Sequence, residues 1–567
     1  MSSNGTLTST DSKTDSKTDL PGGGLWEKEG NETQEPQILR KTKKNTTGIV
    51  HPDNRRELSE EDCYDKLGFS FPWFKKWWII SVIFLVQLSM NFNASVYASG
   101  TKQFEEHFHI GEPGVKVGQM LFLVAYAFGC ELWAPWSEDY GRWPIMQLSL
   151  FFVNIWQILA ALAPNLGSLY VARFLGGLSS AGGSVTLGMC ADMWEPQNQG
   201  FAVAYVVLSS VGGSTLGPIF GGIMADKLNW RWNFWMQLIV GGVTQLIHFF
   251  LVTETRTSIL VDREAKRRRE SGEDPDIYGP GDFKNGLDMK EILSIWSRPF
   301  IMFVKEPIVL FLSLLSGFSD ALIFICMESV PMAFELWGFN TITQGLVFCS
   351  VLIGYFIAYF IHLADIKRQN QILVKEGDAA RLPERRLLLL LFLVVLEPIG
   401  LFGFAWSSMG PTHNHWMGPI VFLALIGIAN YSIYMSTIDY MILAYQSDYA
   451  ASATGGNGFA RDLLAGIAAM YSGPMFRHFS KTKSLQWANT FLGFVAILVA
   501  LPVYIFYWKG PQIRAKSKFA STLAADKKLR KDKTLMHFDD NEEEIGVENL
   551  KAADQNKGGK PAPEDVL

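Results

Sequence analysis

Five carboxylates lie inside stretches otherwise too apolar to hold a charge: Glu131, Asp320, Glu328, Glu397 and Asp439. An acid so placed is expensive to keep and is expected to face a packed interior or a wet cavity. If its exposure alternates between two sides of a membrane, it can take up a proton on one side and release it on the other. Asp320 leads by depth, near the middle of its stretch, and Glu131 follows. Glu328 sits at an outer end, where a merely interfacial position is the alternative. Asp439 lies near the opposite end, and a structural pair with Arg461 is expected there. The first apolar stretch offers no acid, only Asn91 and Asn93. Arg173 is the basic counterpart, followed by Gly176, Gly177, Gly182 and Gly183. Such small residues let helices approach closely, so Arg173 is read as facing the interior; a turn from the interface it would instead snorkel.

Two further patterns bear on movement. Ala134-Pro-Trp-Ser-Glu-Asp-Tyr-Gly-Arg-Trp-Pro144 is a short turn holding Glu138, Asp139, Gly141 and Arg142. An acid and an arginine there can pair and hold neighbouring helix ends, a contact whose loss lets the structure rearrange. An ordinary polar turn with an anchoring arginine is the plain alternative. Gly213, Gly217, Gly221 and Gly222 give a smooth four-residue ladder, and Pro218 among them removes a backbone hydrogen bond and bends the helix. A simple packing seam is the alternative reading.

The elements carrying these residues are about twelve apolar runs of roughly 20 residues, the length that crosses ~30 Å of hydrocarbon. They fall at 77–97, 117–136, 144–163, 168–191, 200–224 and 233–252, then 307–329, 342–363, 387–407, 418–441, 455–474 and 487–508. Of 567 residues 48% are hydrophobic and 19% charged, and the charges concentrate outside these runs. A soluble chain would lack the polar surface to cover so much apolar material. The organisation expected is a disordered tail over 1–70, six helices over 71–252, a central loop over 253–306, six helices over 307–510 and a second tail over 511–567. Six and six suggest two pseudo-symmetric bundles built from an internal repeat. Arg256, Arg263 and Lys266 to Arg269 in the central loop, Lys367, Arg368, Lys375, Arg381, Arg385 and Arg386 in a later one, and Lys509, Arg514, Lys516 and Lys518 past the last run place those segments, and both termini, in the cytoplasm. Trp77, Trp78, Trp406, Trp416 and Trp508 mark span ends as interfacial anchors.

Several other chemistries are set aside. A net charge of −5 spread over tails and loops suggests no nucleic-acid partner. Cys63, Cys130, Cys190, Cys326 and Cys349 do not form a disulfide framework or a metal cluster. His107-Phe-His109 and His413-Asn-His415 lack further ligands, so no metal and no cofactor is expected. No phosphate-binding glycine loop occurs, which argues against ATP-driven work by this chain alone. The glycosylation patterns at Asn4, Asn31, Asn45, Asn93 and Asn430 fall in cytoplasmic or intramembrane positions and are expected to stay unmodified. The polar N-terminus has no signal-peptide core, so the first span is expected to act as the targeting signal. No nucleophile–base pair stands out, and an enzyme is not expected.

The turn at 134–144, Arg173 with its glycines and the 213–222 ladder, in this order on these spans, resemble the major facilitator superfamily. More narrowly, they look like the twelve-helix drug:proton antiporters of fungi, including the branch of polyamine and multidrug exporters. Trp230-Arg-Trp-Asn-Phe-Trp235, Pro383-Glu-Arg-Arg-Leu387, Pro398 to Trp406, His415-Trp416 and the Asn430, Asp439-Tyr440, Ser452-Ala453, Arg461 series are similar as well. Two positions depart: Gln199 replaces a common basic residue, and Glu131 stands where many relatives have proline. The resemblance covers about residues 70–520. It implies an all-helical membrane protein of twelve transmembrane helices in two six-helix bundles. It also implies exchange of protons for an exported drug, polyamine or secondary metabolite at the plasma membrane, by a single chain. Glu131, Arg173, Asp320, Asn93 and Glu328 would serve substrate and proton, Glu138, Asp139, Gly141 and Arg142 the latch, and Gly213, Gly217, Pro218, Gly221 and Gly222 the antiport motif. An importer of a nutrient or organic acid with the same fold, and a membrane receptor that moves nothing, are the alternatives. The substrate's identity is not written in these residues.

Overall fold

The computed structural model describes residues 56–195, 198–283, 289–376 and 383–517, with Phe519. Apolar runs, whose backbone polar groups can be satisfied in hydrocarbon within a helix, become α1 (Trp73–Val96), α2 (Glu112–Asp139), α3 (Arg142–Ala161), α4 (Leu166–Ser180), α5 (Val185–Met193), α6 (Gln199–Lys227) and α7 (Trp232–Leu251), although many of their residues are β-branched, aromatic or glycine. Then come α8 (Thr257–Ser271), α9 (Met289–Lys305), α10 (Pro307–Glu335), α11 (Thr341–Val347), α12 (Cys349–Glu376), α13 (Leu388–Leu393), α14 (Leu396–Ser407), α15 (Met417–His478) and α16 (Ser484–Lys516). Local chemistry sets several starts. Pro307 opens α10 at a position that needs no N–H donor, and the side chains of Asn165 and Asn340 accept from the N–H of Ser168 and Thr343, each at 2.9 Å.

Among the described residues, ten helices are long and apolar enough to cross a membrane. The two other expected runs are present with interruptions. The run at 168–191 is split into α4 and α5 by a tight turn over Ala181–Ser184, which holds Gly182 and Gly183. The run at 455–474 belongs to α15, a helical stretch of 62 residues. A straight helix of that length would reach ~90 Å, yet the side chains of Thr437 and Asn457 meet at 3.5 Å. α15 therefore doubles back between them and supplies two antiparallel limbs.

The solvent logic of the molecule is inverted. Leu246, Phe250, Phe360, Phe494 and Leu498 are exposed on the outside, while Gln119, Asn93, Gln157, Gln237, Asn457 and Asn489 are buried. An apolar exterior over a polar-studded interior is what a bilayer demands. The helix ends near Lys75, Arg142, Asp192 and Arg256 define what we term the basic face, and the turns near Ile110, Asn165, Asn229 and Asn340 define the opposite face.

Two expectations about the polar segments need correction. The tail expected to be disordered through residue 70 is folded from Arg56 onward. Strand β1 (Arg56–Glu57) pairs in parallel with β2 (Ile277–Tyr278), and helical turns follow at Glu61–Lys66 and Gly68–Ser70. The central segment expected to be a loop carries α8 and α9. The folded tail and α8 share one cause, because Leu58, Cys63 and Leu67 close an apolar cluster with Val261, Ala265 and Ile277, while α9 packs through Phe300 on Phe128 and Phe459 of the spans. Residues 1–55, and the C-terminal tail beyond residue 517 except Phe519, lie outside the described residues.

Candidate functional site

Asp320, midway along α10, meets Arg461 on the second limb of α15 at 2.7 Å, with both side chains buried. The guanidinium also lies 3.5 Å from the centre of the Tyr434 ring on the first limb. Carboxylate and aromatic face together compensate a cation that lipid alone would not tolerate. The expected pair of Arg461 with Asp439 does not form; Asp439 instead faces Arg386 at 3.2 Å, near the basic face. Asp439 and Arg461 sit on different limbs of a hairpin, and depth sorts the charges: Arg461 lies level with mid-span Asp320, and Asp439 lies level with the helix end carrying Arg386. Asp462, beside Arg461, is close enough to Tyr126 and Cys130 of α2 to interact electrostatically. It passed unnoticed in the sequence, although an Arg-Asp step within an apolar run was the available signal.

Glu131 lies on α2 against the same limb. It is 4% exposed, and a Cβ on Gly455 would approach its Oε1 to 2.5 Å. No hydrogen bond reaches Oε1 among the described residues. The contact continues along both helices, through Gly466 beside Leu123 and Gly473 beside Glu112. Gly200 of α6 touches Ile366 of α12, and Gly222 packs on Thr341 and Gly345 at the other end. The earlier and later spans thus close on each other at both faces, with Asp320 and Arg461 enclosed.

Arg173 is buried, with 1% of its surface exposed. Its guanidinium lies 4.0 Å from the Phe122 ring centre and 4.6 Å from that of Tyr97, and it donates to the Asn93 carbonyl at 3.2 Å. Asn93 itself accepts from Gln157 and donates to Ser180. Gly177 lets α4 press against the Phe122 backbone, which draws that ring under the arginine. Among the described residues no acid pairs with Arg173, so rings and amides hold its charge. Rings carry part of the compensation for both Arg173 and Arg461, since among the described residues Arg173 Nη2 and Arg461 Nε make no hydrogen bond.

At the basic face, Arg142 reaches Asp192 at the end of α5 (Nε to Oδ2, 2.9 Å) and Ser137 (2.6 Å), while Glu138 stands 3.9 Å away. The nearer acid is therefore Asp192, 50 residues on in sequence, and the expected latch with Glu138 is a secondary contact. Asp139 ends α2 beside this turn. Gly141 takes φ +101, and any side chain there would collide with Glu254. Glu254 accepts from the backbone N–H of Arg142 (2.9 Å) and Trp143 (3.2 Å), capping α3 from 112 residues away, and it also accepts from Thr255 and Arg256. Neither Asp192 nor Glu254 was singled out in the sequence, because each follows an apolar run as an ordinary boundary acid would.

On the opposite face, Glu328 pairs with Lys116 and Glu112 with Arg477. Lys116, one residue ahead of the run expected at 117–136, is 4% exposed within α2. Both pairs join α2 to later spans. The glycine ladder is divided: Gly213 and Gly217 face Leu88 and Ser95 of α1, Gly221 faces Ser99 in the turn that follows α1, and Gly222 faces α11. Pro218 lies inside α6 between these contacts, its carbonyl 2.5 Å from where a Cβ on Gly345 would stand. Glu397 is fully buried and receives the Ser319 hydroxyl, which in turn accepts from Asn430 at 3.2 Å. Among the described residues, no group of three or more His, Cys, Asp or Glu is placed to hold a metal.

Paired spans, inverted surface polarity and compensated charges at mid-depth define a membrane transporter fold rather than a soluble catalyst. A profile of the Major Facilitator Superfamily matches residues 81–470, and the chain belongs to that family, whose members are transporters and not enzymes. The MFS-type transporter paaT of Penicillium rubens is 30% identical over 503 residues, covering 88% of this chain and 90% of its own. Fluconazole resistance protein 1 of Saccharomyces cerevisiae is 27% identical over 462 residues, with 79% and 82% covered. Among solved structures, the proton:xylose symporter XylE bound to 6-bromo-6-deoxy-D-glucose superposes with a TM-score of 0.53 at 16% identity, over 77% of this chain and 96% of its own. That likeness speaks for the fold.

Proposed function

We propose that this transporter exchanges protons for small organic molecules, exporting a drug, polyamine or secondary metabolite. The observation that carries the reading is the enclosed Asp320–Arg461 pair. A proton on Asp320 removes the charge that holds Arg461, and a buried guanidinium without its acid must find another partner or be re-exposed. Loading and release of that proton would therefore bias the packing of α10 against α15, the kind of two-state element exchange requires. Glu131, without a hydrogen bond on Oε1 and at the seam of the same limb, is the second group that senses the change. Lys116–Glu328 and Glu112–Arg477 would part when the opposite face opens, and the Arg142–Asp192 contact when the basic face does.

The basic face carries the central segment with its arginines, which argues for a cytoplasmic position of that face and of both termini in the plasma membrane. One chain is sufficient for the cycle. The relative with fluconazole in its name supplies a first probe. In everted vesicles acidified inside by a proton pump, wild-type chain should accumulate labelled fluconazole or dissipate the gradient when a substrate panel is added. Asp320→Asn should leave the protein folded and abolish the gradient-driven component. Gradient-driven flux at the wild-type rate in Asp320→Asn would remove that residue from coupling, and flux only out of acid-inside vesicles would make the chain an importer.

A further inference from the structure

The chain ahead of α1 does more than lead into the membrane. Leu58, Cys63 and Leu67 are buried against Val261 and Ala265 of α8 and Ile277 of β2. Around that cluster, Arg56 N–H donates to the Asp276 carbonyl at 3.0 Å, Leu58 N–H to that of Tyr278 at 2.8 Å, and Arg268 Nη2 to that of Asp62 at 3.0 Å. Arg56 also forms an ion pair with Asp274. The far end of the segment is tied as firmly. Lys76 Nζ donates to the Phe69 carbonyl at 2.7 Å, and Trp77 sets its edge on Trp194 at 5.9 Å. Between these anchorages Gly68 lies so close to the backbone of Asp192 that a Cβ there would stand 2.6 Å from its carbonyl oxygen.

Asp192 is the residue that Arg142 and Arg256 share: Oδ2 takes Arg142 at 2.9 Å and Oδ1 takes Arg256 at 3.5 Å. The segment thus presses on the main chain of the acid whose side chain joins the α2–α3 turn to the exit of α7. We infer that residues 56–70 are a strap that positions Asp192, so that docking of this stretch on the central segment stabilises the Arg142 contact and its release favours separation of the helix ends at the basic face. Packing supports a positioning role over mere attachment. The glycine contact is with Asp192 itself, and the apolar cluster closes only when the segments before α1 and after α7 are both present. The inference bears on the gating step of the exchange proposed above, yet its test needs no flux, so either reading can fail without the other.

Cys63 is a built-in reporter. Burial pushes its thiol up from 9.0 to about 11, which leaves about a hundred-fold less thiolate at pH 7.5 than a free cysteine would have. Purified full-length chain would be pulsed with N-ethylmaleimide and analysed by peptide mass spectrometry, alongside amide hydrogen exchange over 137–146, 190–195 and 252–258. Leu58→Asp should raise Cys63 labelling by about a hundred-fold and quicken exchange at Arg142, Asp192 and Thr255 about ten-fold. Gly68→Val should quicken exchange there too, because it lifts the strap from Asp192. Glu57→Cys with Tyr278→Cys, oxidised across the β1–β2 register, should slow that exchange, and reduction should restore it. Should Leu58→Asp fail to accumulate, the oxidised and reduced forms of the double cysteine variant decide. Fast Cys63 labelling in the wild type would show that the strap is not docked. Release or locking without a change at Arg142 and Asp192 would show it to be an appendage, and either result overturns the inference.

Discussion

Partner choice at single residues makes sharp expectations. A double-mutant cycle on Asp320→Asn and Arg461→Gln should show coupling, since each change leaves the other group buried without its counter-charge, a loss of about 3–5 kcal/mol in similar settings. The same cycle on Asp439→Asn and Arg461→Gln should be additive within about 0.5 kcal/mol, because Asp439 faces Arg386. Thermal unfolding of the purified variants reads both cycles. Additivity in the first and coupling in the second would restore the pairing expected from the sequence. At the basic face, Asp192→Asn should lower the unfolding midpoint and quicken exchange at Arg142 more than Glu138→Gln does, since the bonded acid stands at 2.9 Å and the other at 3.9 Å.

Helices and segments carry a second group of expectations. The α1–α6 contact depends on glycines whose missing side chains let backbones touch. Gly217→Val would drive a methyl into Ser95 and should cost about 1–3 kcal/mol or prevent assembly. Gly212→Ala, five residues earlier on α6, meets nothing nearer than Leu352 at 4.0 Å and should be close to neutral. Equal losses at the two positions would refute the view that the ladder is a packing face. In α8, hydrogen bonds from Arg267 and Arg268 hold the Glu264 carboxyl at about 2, below its ordinary 4.5. A group depressed in the folded state stabilises it above its unfolded value, and that contribution drains away as pH falls from about 4.5 towards 2. Amide exchange across 257–271, corrected for intrinsic rates, should therefore rise on acidification through this window, and Glu264→Gln should flatten the dependence. A wild-type profile as flat as the variant's would exclude the contribution.

Across the whole molecule, the earlier and later spans touch at both faces. Gly455–Glu131 and Gly200–Ile366 lie towards one face, Gly473–Glu112 and Gly222–Thr341 towards the other. Such closure encloses the central charges and implies that each opening breaks a defined subset of contacts. Cross-linking Glu112→Cys to Arg477→Cys should stop transport by holding the opposite face shut, with recovery on reduction. Flux unaffected by the cross-link would mean that this face does not part there during transport.

The sequence by itself determined what depends on local composition. Runs long enough to span lipid, the small-residue seams and the rare ionisable groups within the runs are each legible within some twenty residues, because the cost of a charge or an unpaired amide in hydrocarbon acts on each helix separately. Asp320, Glu131 and Arg173 stood out on that ground. Only the tertiary structure decided which acid meets which base. Arg461 is 141 residues from Asp320, and Glu254 caps a helix 112 residues before it. Partnership depends on the depth and rotation of whole helices, and hydropathy, which averages over a helix, is blind to both. Docking of residues 56–70 was hidden for a related reason: neither the stretch before α1 nor the one after α7 has enough apolar surface to fold alone, and their shared core exists only once the spans between them have brought them together.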